Sequence, residues 1–184
     1  FLPKKKYTFP LKIISSEMPI GIDYKAGVSA QLKSAVIFAG LNSYGNTTIH
    51  ENISSRNHTE NLLQKNKKAI RIISGKKKLI RVFGKKNLQS IKVNISGDPS
   101  SAAFFTTLTL LNKNSYMKIK NVGLNYTRVG FYEILKKQNA NLKFTNLKKD
   151  NNEIRGDIIV RSSKLKPLKT HENMYPRTTD EYLL

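Results

Sequence analysis

The stretch GVSAQLKSAVIFAGLNSYGNTTIHENISSRNHTE, Gly27–Glu60, decides the fold because it predicts a helix, a strand and the start of a second helix. Ser29 is a good N-cap residue, and Gly40 predicts the end of the first helix. Asn57 and Glu60 have the spacing of a capping box at the start of the second helix. The first helix carries an apolar stripe at helical spacing: Leu32, Ala35, Val36 and Ala39.

Both predicted helix N-termini carry polar side chains. Free N–H groups and the positive end of the helix dipole bind anions, especially where hydroxyl and guanidinium groups stand beside them. Ser29, Gln31 and Arg56 are therefore the first candidates for contacts to an anionic ligand.

The composition predicts a globular chain. Its 184 residues fit one domain or two small ones, and 39% are hydrophobic and 24% charged. No apolar run approaches the roughly 18–20 residues that span a bilayer, so we expect no membrane partner. The absence of cysteine excludes disulfides and thiolate metal sites and agrees with a cytoplasmic protein. Because the chain begins at Phe1 without a signal-like apolar segment, a fragment is the simplest interpretation.

A net charge of +21 favours an anionic partner, and nucleic acid is one candidate. The lysines, however, are scattered in short runs such as 4–6, 76–78 and 148–149, mostly in predicted turns. Basic and aromatic residues are not interleaved as in common RNA-binding modules. A solvated surface explains the charge better, so we do not expect a specific nucleic-acid site.

The chain contains an internal repeat at a constant offset of 72 residues. This offset places Ser29 on Ser101, Arg56 on Arg128 and Leu63 on Leu135. It predicts two copies of a β-α-β-α-β-β unit, with a boundary near Ser90–Gly97. The second helix of the first copy should end near Lys67, and its strands should lie at Leu11–Ser15, Ile22–Lys25, Gly45–His50, Ala69–Ser74 and Leu79–Phe83, the last two forming a hairpin.

Five motifs in order resemble those of the 5-enolpyruvylshikimate-3-phosphate synthase family. The first is Ser-Ala-Gln-x-Lys-Ser-Ala from Ser29 followed by Ser-Arg-x-His-Thr-Glu from Ser55. The other four are Gly97–Phe105, Asn121–Gly130, Gly156-Asp157-Ile158 and Asp180-Glu181. The resemblance runs from about Pro10 to the last residue. It implies an α/β fold of two domains, an inside-out α/β barrel in which each domain holds three repeated units. Residues 1–92 would be the last unit of the first domain, and residues 93–184 the first unit of the second.

The resemblance also implies an activity. The family joins the 5-hydroxyl of shikimate 3-phosphate to carbon 2 of phosphoenolpyruvate and then expels phosphate, without a metal or organic cofactor. Asp180 matches the general base, and Gln31 would also contact phosphoenolpyruvate. The residues that match the shikimate 3-phosphate site are Ser29, Ala30, Gln31 and Arg56.

For the other polar residues a structural role is the expectation. Ser101 and Arg128 are interpreted as helix-cap residues, and Asp98 and Pro99 as shaping the crossover between domains. Lys33 is expected to face solvent or the other domain, and Glu181 to support Asp180. Asp23 is expected at the surface. The three histidines have no metal-ligand spacing, and we expect no metal site: His50, His58 and His171.

Three functions remain open from the sequence. The first is the shikimate-pathway transferase of aromatic amino acid biosynthesis, whose full-length parent we expect to be a monomer. The second is UDP-N-acetylglucosamine enolpyruvyl transferase, which shares the repeats and the phosphoenolpyruvate chemistry. The third is a non-enzymatic basic module that binds nucleic acid. The Ser-Ala-Gln and Ser-Arg-x-His-Thr-Glu motifs favour the first. The family's amino-terminal Lys-Ser…Arg cluster and its Asn-Ala-Gly-Thr segment are not in this chain, so we expect the chain alone to be inactive.

Overall fold

The computed structural model describes residue 12 and residues 14–75 and 78–184, which fold into two α/β units. The first unit consists of β1 (Asp23–Ala26), α1 (Ala30–Asn42), β2 (Asn46–Glu51), α2 (His58–Leu63), β3 (Ile70–Ile73) and β4 (Lys78–Phe83). The second consists of α3 (Pro99–Leu111), β5 (Tyr116–Gly123), α4 (Gly130–Lys137), β6 (Leu142–Asp150) and β7 (Glu153–Arg161). A 3₁₀ helix at Glu172–Arg177 follows.

The two units share one strand order. The first sheet has the order β1-β2-β4-β3, with β1 parallel to β2 and the other pairs antiparallel. The second sheet has the order β5-β7-β6, and a single parallel bridge from Gly97 to Val122 stands where β1 stands in the first. Because both units repeat this arrangement, the predicted α/β class and repeat are confirmed. The constant offset of 72 is wrong for the first helices, because α1 and α3 are related by 69 residues, and the counterpart of Ser29 is Asp98 rather than Ser101. The assignment of residues 1–92 and 93–184 to two different domains stays a prediction.

Most predicted elements of the first unit lie within one or two residues of the observed ones. The predicted hairpin is the antiparallel pair of β3 and β4, although turn residues 76 and 77 lie outside the described residues. Helix α2 ends at Leu63 rather than near Lys67. No strand forms at residues 12, 14 and 15, and the rest of the predicted strand Leu11–Ser15 lies outside the described residues.

Each unit has its own buried apolar cluster. In the first unit, Ile37 of α1 packs with residues of the sheet. In the second, Tyr132 and Leu135 of α4 share a cluster with Leu142 of β6, and the Tyr132 ring contacts Phe144 of the same strand. Burying such side chains is worth roughly 1.5–3 kcal/mol each, so each helix is held to its own sheet mainly by the hydrophobic effect.

The apolar stripe predicted for α1 is not its buried face. Lys33 and Ile37 are buried, whereas Leu32 is 60% exposed. The predicted buried face was wrong because apolar residues occupy most of this helix. Periodicity alone therefore did not identify the face that meets the sheet.

Gly40 does not end α1, which continues to Asn42. It lies inside the helix at a close approach to β2, where an added Cβ atom would be 2.9 Å from Cβ of Thr47. The glycine therefore permits tight packing of helix on strand, and the prediction that it stops the helix is wrong.

Helix α3 also exposes an apolar face. Four large apolar side chains of this helix are 54–69% exposed: Phe104, Phe105, Leu108 and Leu111. The opposite face, with Ala103 and Leu110, is buried against the second sheet. Contiguous exposed apolar side chains on one helix are typical of surfaces that become covered by other protein. No helix in the described part of the chain is long and apolar enough to cross a membrane.

We predict that the purified chain self-associates as its concentration rises, because the exposed face of α3 is apolar. Leu108→Lys with Leu111→Lys should reduce the average mass measured by sedimentation velocity. The free energy of unfolding should change by less than about 0.5 kcal/mol per substitution, since both side chains are exposed.

Leu110→Lys is the matched control, because Leu110 lies on the same helix and is 2% exposed. It should lower the free energy of unfolding by several kcal/mol, because it removes a buried apolar side chain and puts a charge in its place. An unmodified chain that stays monomeric at all concentrations would contradict the prediction.

Candidate functional site

The N-terminus of α1 has the geometry that the sequence predicts. Ser29 is the N-cap residue, and its Oγ accepts a hydrogen bond from the backbone N–H of Leu32 at 3.3 Å. The same hydroxyl lies 3.4 Å from Oε1 of Gln31, whose side chain is exposed. Ala30 is the first residue of the helix. The helix N-terminus therefore presents free N–H groups, one hydroxyl and one amide to solvent.

A buried ion cluster lies one turn further along α1. The Nζ atom of Lys33 is 2.7 Å from Oε1 of Glu51 and 2.7 Å from Oε1 of Glu60, and all three side chains are buried. Lys78 adds a second cation, 2.8 Å from Oε2 of Glu51 and 3.1 Å from Oε1 of Glu60. The expectation that Lys33 faces solvent or the other domain is therefore wrong.

Glu51 is charged within this cluster. Burial by itself raises the pKa of Glu51, but hydrogen bonds from Lys33, Lys78 and Ser55 outweigh it and lower the pKa to about 2. The backbone N–H and the hydroxyl of Ser55 donate to Oε1 of Glu51 at 3.0 and 2.9 Å. The cluster thus joins the start of α1 to the loop that carries Arg56.

The approach to α2 is held by the cluster and not by a capping box. Asn57 occupies the N-cap position without a side-chain cap bond, and Glu60 binds lysines instead of the helix N-terminus. A second link comes from the hydroxyl groups of Ser34 and Thr59, which lie 2.7 Å apart. The predicted capping box is therefore wrong, because ion pairing in the interior competes for the same carboxylate.

Arg56 and Asp180 are brought together although 124 residues separate them. The Nη2 atom of Arg56 donates to Oδ2 of Asp180 at 2.7 Å. Their side chains are 19% and 43% exposed, so the pair lies at an accessible surface. Within the described residues, no hydrogen bond joins Ser29 or Gln31 directly to this pair, and the link runs through the Lys33 cluster.

Arg128 meets the same carboxylate. Its Nη1 atom is 3.6 Å from Oδ2 of Asp180, and its Nη2 atom is 2.9 Å from Oδ1 of Asp98. Nη2 also donates to Oγ of Ser100 at 2.6 Å, and the Ser100 hydroxyl donates to the buried carboxylate of Glu181. Arg128 does not cap its own helix, because Val129 is the N-cap of α4 and has no side-chain cap bond. The interpretation of Arg128 as a helix-cap residue is therefore wrong.

Asp98 is the N-cap of α3. Its Oδ2 accepts hydrogen bonds from the backbone N–H and the hydroxyl of Ser101, both at 2.9 Å. Burial alone raises the pKa of Asp98, but these bonds, the Ser100 N–H and the charge of Arg128 together lower it. Ser101 is the third residue of α3 and donates to the cap residue. The interpretation of Ser101 as a helix-cap residue is therefore wrong, because Asp98 occupies that position.

The segment with Asp180 is fixed on the second unit. The 3₁₀ helix lies against the start of α4, where a Cβ atom added to Gly130 would be 2.8 Å from Cβ of Arg177. Arg177 donates to the carbonyl of Tyr126 and to Oε1 of Glu133, the latter at 2.6 Å. Asp180 therefore enters the site from the second unit, whereas Arg56 comes from the first.

The two units also meet through polar side chains. Glu153 accepts from Asn61 and Asn125, both at 2.9 Å, and its Oε1 lies 2.9 Å from Nδ1 of His58. Burial by itself raises the pKa of Glu153, but His58, Asn61 and Asn125 outweigh it and lower the pKa. Asn125 also donates to Oδ1 of Asn57 at 2.8 Å. A cleft of about 380 Å³ opens beside this network and reaches Arg128.

The histidines have separate environments. His58 joins the contact between units, as a structural role predicts, and Nε2 of His50 lies 3.4 Å from Oδ1 of the exposed Asp23. Among the described residues, no group of three or more His, Asp or Glu side chains could hold a metal ion.

Sequence reasoning missed Arg128 and the Lys33 cluster. A signal for Arg128 was present, since the 72-residue offset places it on Arg56. The cluster left a weaker signal, because Lys33 lies four positions before the buried Ile37 and seven before the buried Gly40. A lysine on the buried face of a helix needs buried carboxylates, and sequence spacing did not identify Glu51 and Glu60 as those partners.

Comparison with known proteins decides the family. Residues 3–176 match the profile of EPSP synthase (3-phosphoshikimate 1-carboxyvinyltransferase). The chain belongs to the EPSP synthase family.

Individual members of the family give the same result. The 3-phosphoshikimate 1-carboxyvinyltransferase of Petrotoga mobilis is 39% identical over 98% of this chain and 42% of its own length. The Bacillus subtilis protein of the same name is 37% identical over 94% of this chain and 40% of its own length. A solved EPSP synthase from Acinetobacter baumannii is 32% identical, with a TM-score of 0.78 over 97% of this chain and 40% of that chain.

These matches confirm the resemblance and the fold that it implied. The chain spans about two fifths of the length of the EPSP synthases that it matches. The comparison therefore covers only part of an EPSP synthase.

We predict that Lys33→Met lowers the free energy of unfolding by about 3–5 kcal/mol, because it leaves two buried carboxylates facing one cation. Chemical denaturation followed by circular dichroism measures the change. Lys33→Met with Glu60→Gln restores the charge balance and should recover part of the loss.

Lys118→Met is the control for loss of a lysine in an ion pair. Lys118 binds Asp157 at 3.0 Å and is one third exposed, so its removal should cost less than about 1 kcal/mol. An equally small loss for Lys33→Met would mean that the buried cluster does not hold the unit together.

Proposed function

We propose that this chain forms the shikimate 3-phosphate side of a 3-phosphoshikimate 1-carboxyvinyltransferase site. The observation that carries the proposal is the 2.7 Å contact of Arg56 with Asp180. It brings the residue matched to phosphate binding beside the residue matched to the general base, from opposite ends of the chain. The family membership supports the same activity and favours it over the UDP-N-acetylglucosamine transferase. The same family membership favours this activity over a non-enzymatic module that binds nucleic acid.

Arg56 is suited to bind the phosphate group of shikimate 3-phosphate. A planar guanidinium donates two parallel, charge-assisted hydrogen bonds to a phosphate. Arg56 is partly exposed, and its observed partner is an exposed carboxylate that an incoming phosphate could replace. Ser29, Ala30 and Gln31 at the N-terminus of α1 would bind further oxygen atoms of the same substrate, and Gln31 would also reach phosphoenolpyruvate.

Asp180 is suited to accept a proton. In the reaction, the 5-hydroxyl oxygen bonds to carbon 2 of phosphoenolpyruvate while carbon 3 gains a proton, which gives a tetrahedral intermediate. Loss of phosphate from carbon 2 and of a proton from carbon 3 then forms the enolpyruvyl product. A base must take the hydroxyl proton as the first bond forms, and a carboxylate in hydrogen-bond reach of the substrate serves this role. The chemistry needs no cofactor.

The parent protein should supply the rest of the active site. The motifs that complete the phosphoenolpyruvate site in the family lie outside this chain, so the chain alone should not release phosphate from the two substrates. Effective catalysis needs both reactants held in near-attack geometry. We place the parent in the cytoplasm as a monomer that acts on small molecules in the shikimate pathway.

Activity is best tested in a chimera. This chain replaces its aligned segment in the Petrotoga mobilis relative, to which it is 39% identical. The chimera should form 5-enolpyruvylshikimate 3-phosphate and release phosphate. A chimera that binds both substrates but releases no phosphate would contradict the proposed function.

We predict that Arg56→Ala in the chimera weakens shikimate 3-phosphate binding by about 2–4 kcal/mol, as for loss of a charge-assisted contact. Phosphoenolpyruvate binding should change much less. Isothermal titration with each substrate measures both. Arg71→Ala is the control, because Arg71 is exposed on β3 and should leave both affinities unchanged. Unchanged shikimate 3-phosphate affinity in Arg56→Ala would remove this residue from the site.

We predict that Asp180→Asn in the chimera lowers turnover by about 100-fold or more, because it removes the base and keeps the shape of the side chain. Shikimate 3-phosphate should still bind. The control is Asp23→Asn, since Asp23 is an exposed carboxylate on β1 outside the site. Near-normal turnover of Asp180→Asn would assign the base to another residue.

A further inference from the structure

Arg56 and Arg128 are equivalent residues of the two units. Each lies two positions before the helix that follows it, α2 or α4, and the 72-residue offset relates them. Their guanidinium groups approach the same oxygen atom, Oδ2 of Asp180, at 2.7 and 3.6 Å. The repeat has therefore placed two arginines around one carboxylate.

The two arginines differ in what else holds them. In the described part of the chain, Asp180 is the observed ion-pair partner of Arg56. Arg128 instead has two further contacts, with Asp98 at 2.9 Å and Ser100 at 2.6 Å, and its side chain is 14% exposed. Both partners are themselves fixed, Asp98 as the N-cap of α3 and Ser100 by its hydrogen bond to a buried carboxylate. Arg128 is thus anchored, whereas Arg56 can exchange its partner.

We infer that Arg128 is a positioning residue that retains Asp180 when an anionic ligand takes Arg56. An incoming phosphate group replaces the carboxylate on Arg56, and Asp180 then keeps its contact with Arg128 instead of losing every cationic partner. The exchange breaks and forms only ion pairs and hydrogen bonds. This inference rests on the proposed function for the identity of the ligand, a phosphate monoester, but the exchange itself depends only on the contacts of the two arginines.

The arrangement has an energetic consequence for binding. Without Arg128, a phosphate group that binds Arg56 must leave Asp180 as an unpaired carboxylate beside a second anion, which opposes binding. With Arg128 present, the displaced carboxylate retains a cation, so part of this cost is avoided. Arg128 should therefore favour phosphate binding only while residue 180 carries a carboxylate.

A double-mutant cycle on the full 184-residue chain tests this dependence. The probes are inorganic phosphate and shikimate 3-phosphate, and arginine side-chain NMR follows the Nε–Hε signals of Arg56 and Arg128. Phosphate should shift the Arg56 signal more than the Arg128 signal. Arg128→Gln should weaken binding of both probes about threefold to tenfold in the chain with Asp180, as for neighbouring charged residues that are coupled. In the Asp180→Asn background, Arg128→Gln should have no effect.

Arg155→Gln is the matched control, because Arg155 lies on β7 and donates to Asn121 rather than to Asp180. It should leave phosphate affinity unchanged in both backgrounds. A merely structural role of Arg128, or direct binding of phosphate by Arg128, would weaken binding equally with Asp180 and with Asn at that position. Either result overturns the inference, as does the absence of any phosphate-induced shift at Arg56.

The two probes separate this inference from the proposed function. If shikimate 3-phosphate binds no more tightly than inorganic phosphate while the coupling of Arg128 to Asp180 persists, the proposed substrate is wrong and the positioning role stands. If shikimate 3-phosphate binds tightly and the two substitutions act independently, the substrate stands and Arg128 does not position Asp180.

Discussion

The first unit's part of the site depends on the buried ion cluster of Lys33, Glu51, Glu60 and Lys78. The four residues come from α1, the end of β2, α2 and the start of β4, so the cluster joins four elements at one point. Apolar packing is not directional, whereas ion pairs in the interior have a required geometry. The cluster therefore sets where the N-terminus of α1 lies relative to the loop with Arg56, and it does so with two positive and two negative charges that balance.

The second unit positions its residues by a different device. Asp98 caps α3 and holds Arg128, while the 3₁₀ helix lies on the glycine at the start of α4 and carries Asp180 into place. Equivalent arginines thus have different duties in the two units, because their surroundings differ. Arg56 contacts a carboxylate that another anion can displace. Arg128 is held by Asp98 and Ser100, which are themselves fixed.

The sequence predicted much of the fold and part of the site. The repeat, the sequence of helices and strands along each unit and the N-cap at Ser29 follow from local signals, whereas the predicted capping box of α2 did not form. Three features were not predictable in the same way. The buried face of α1 was misassigned because most of its residues are apolar, and the partners of Lys33 required knowledge of which carboxylates the fold buries. Arg128 was visible in the repeat, but its convergence on Asp180 depends on how the two units meet, which no local pattern contains.

The long separation of Arg56 and Asp180 in the chain has a consequence for how the protein folds. Each unit builds its apolar cluster from contacts within itself, whereas the site requires closure of a loop of more than a hundred residues. Loop closure is entropically costly, and contacts between distant residues slow folding. We expect the two cores to form first and the arginine–aspartate contact to form last, once the units have docked. A folding intermediate with both sheets intact would then lack the site altogether, so recovery of ligand binding during refolding would lag behind recovery of secondary structure.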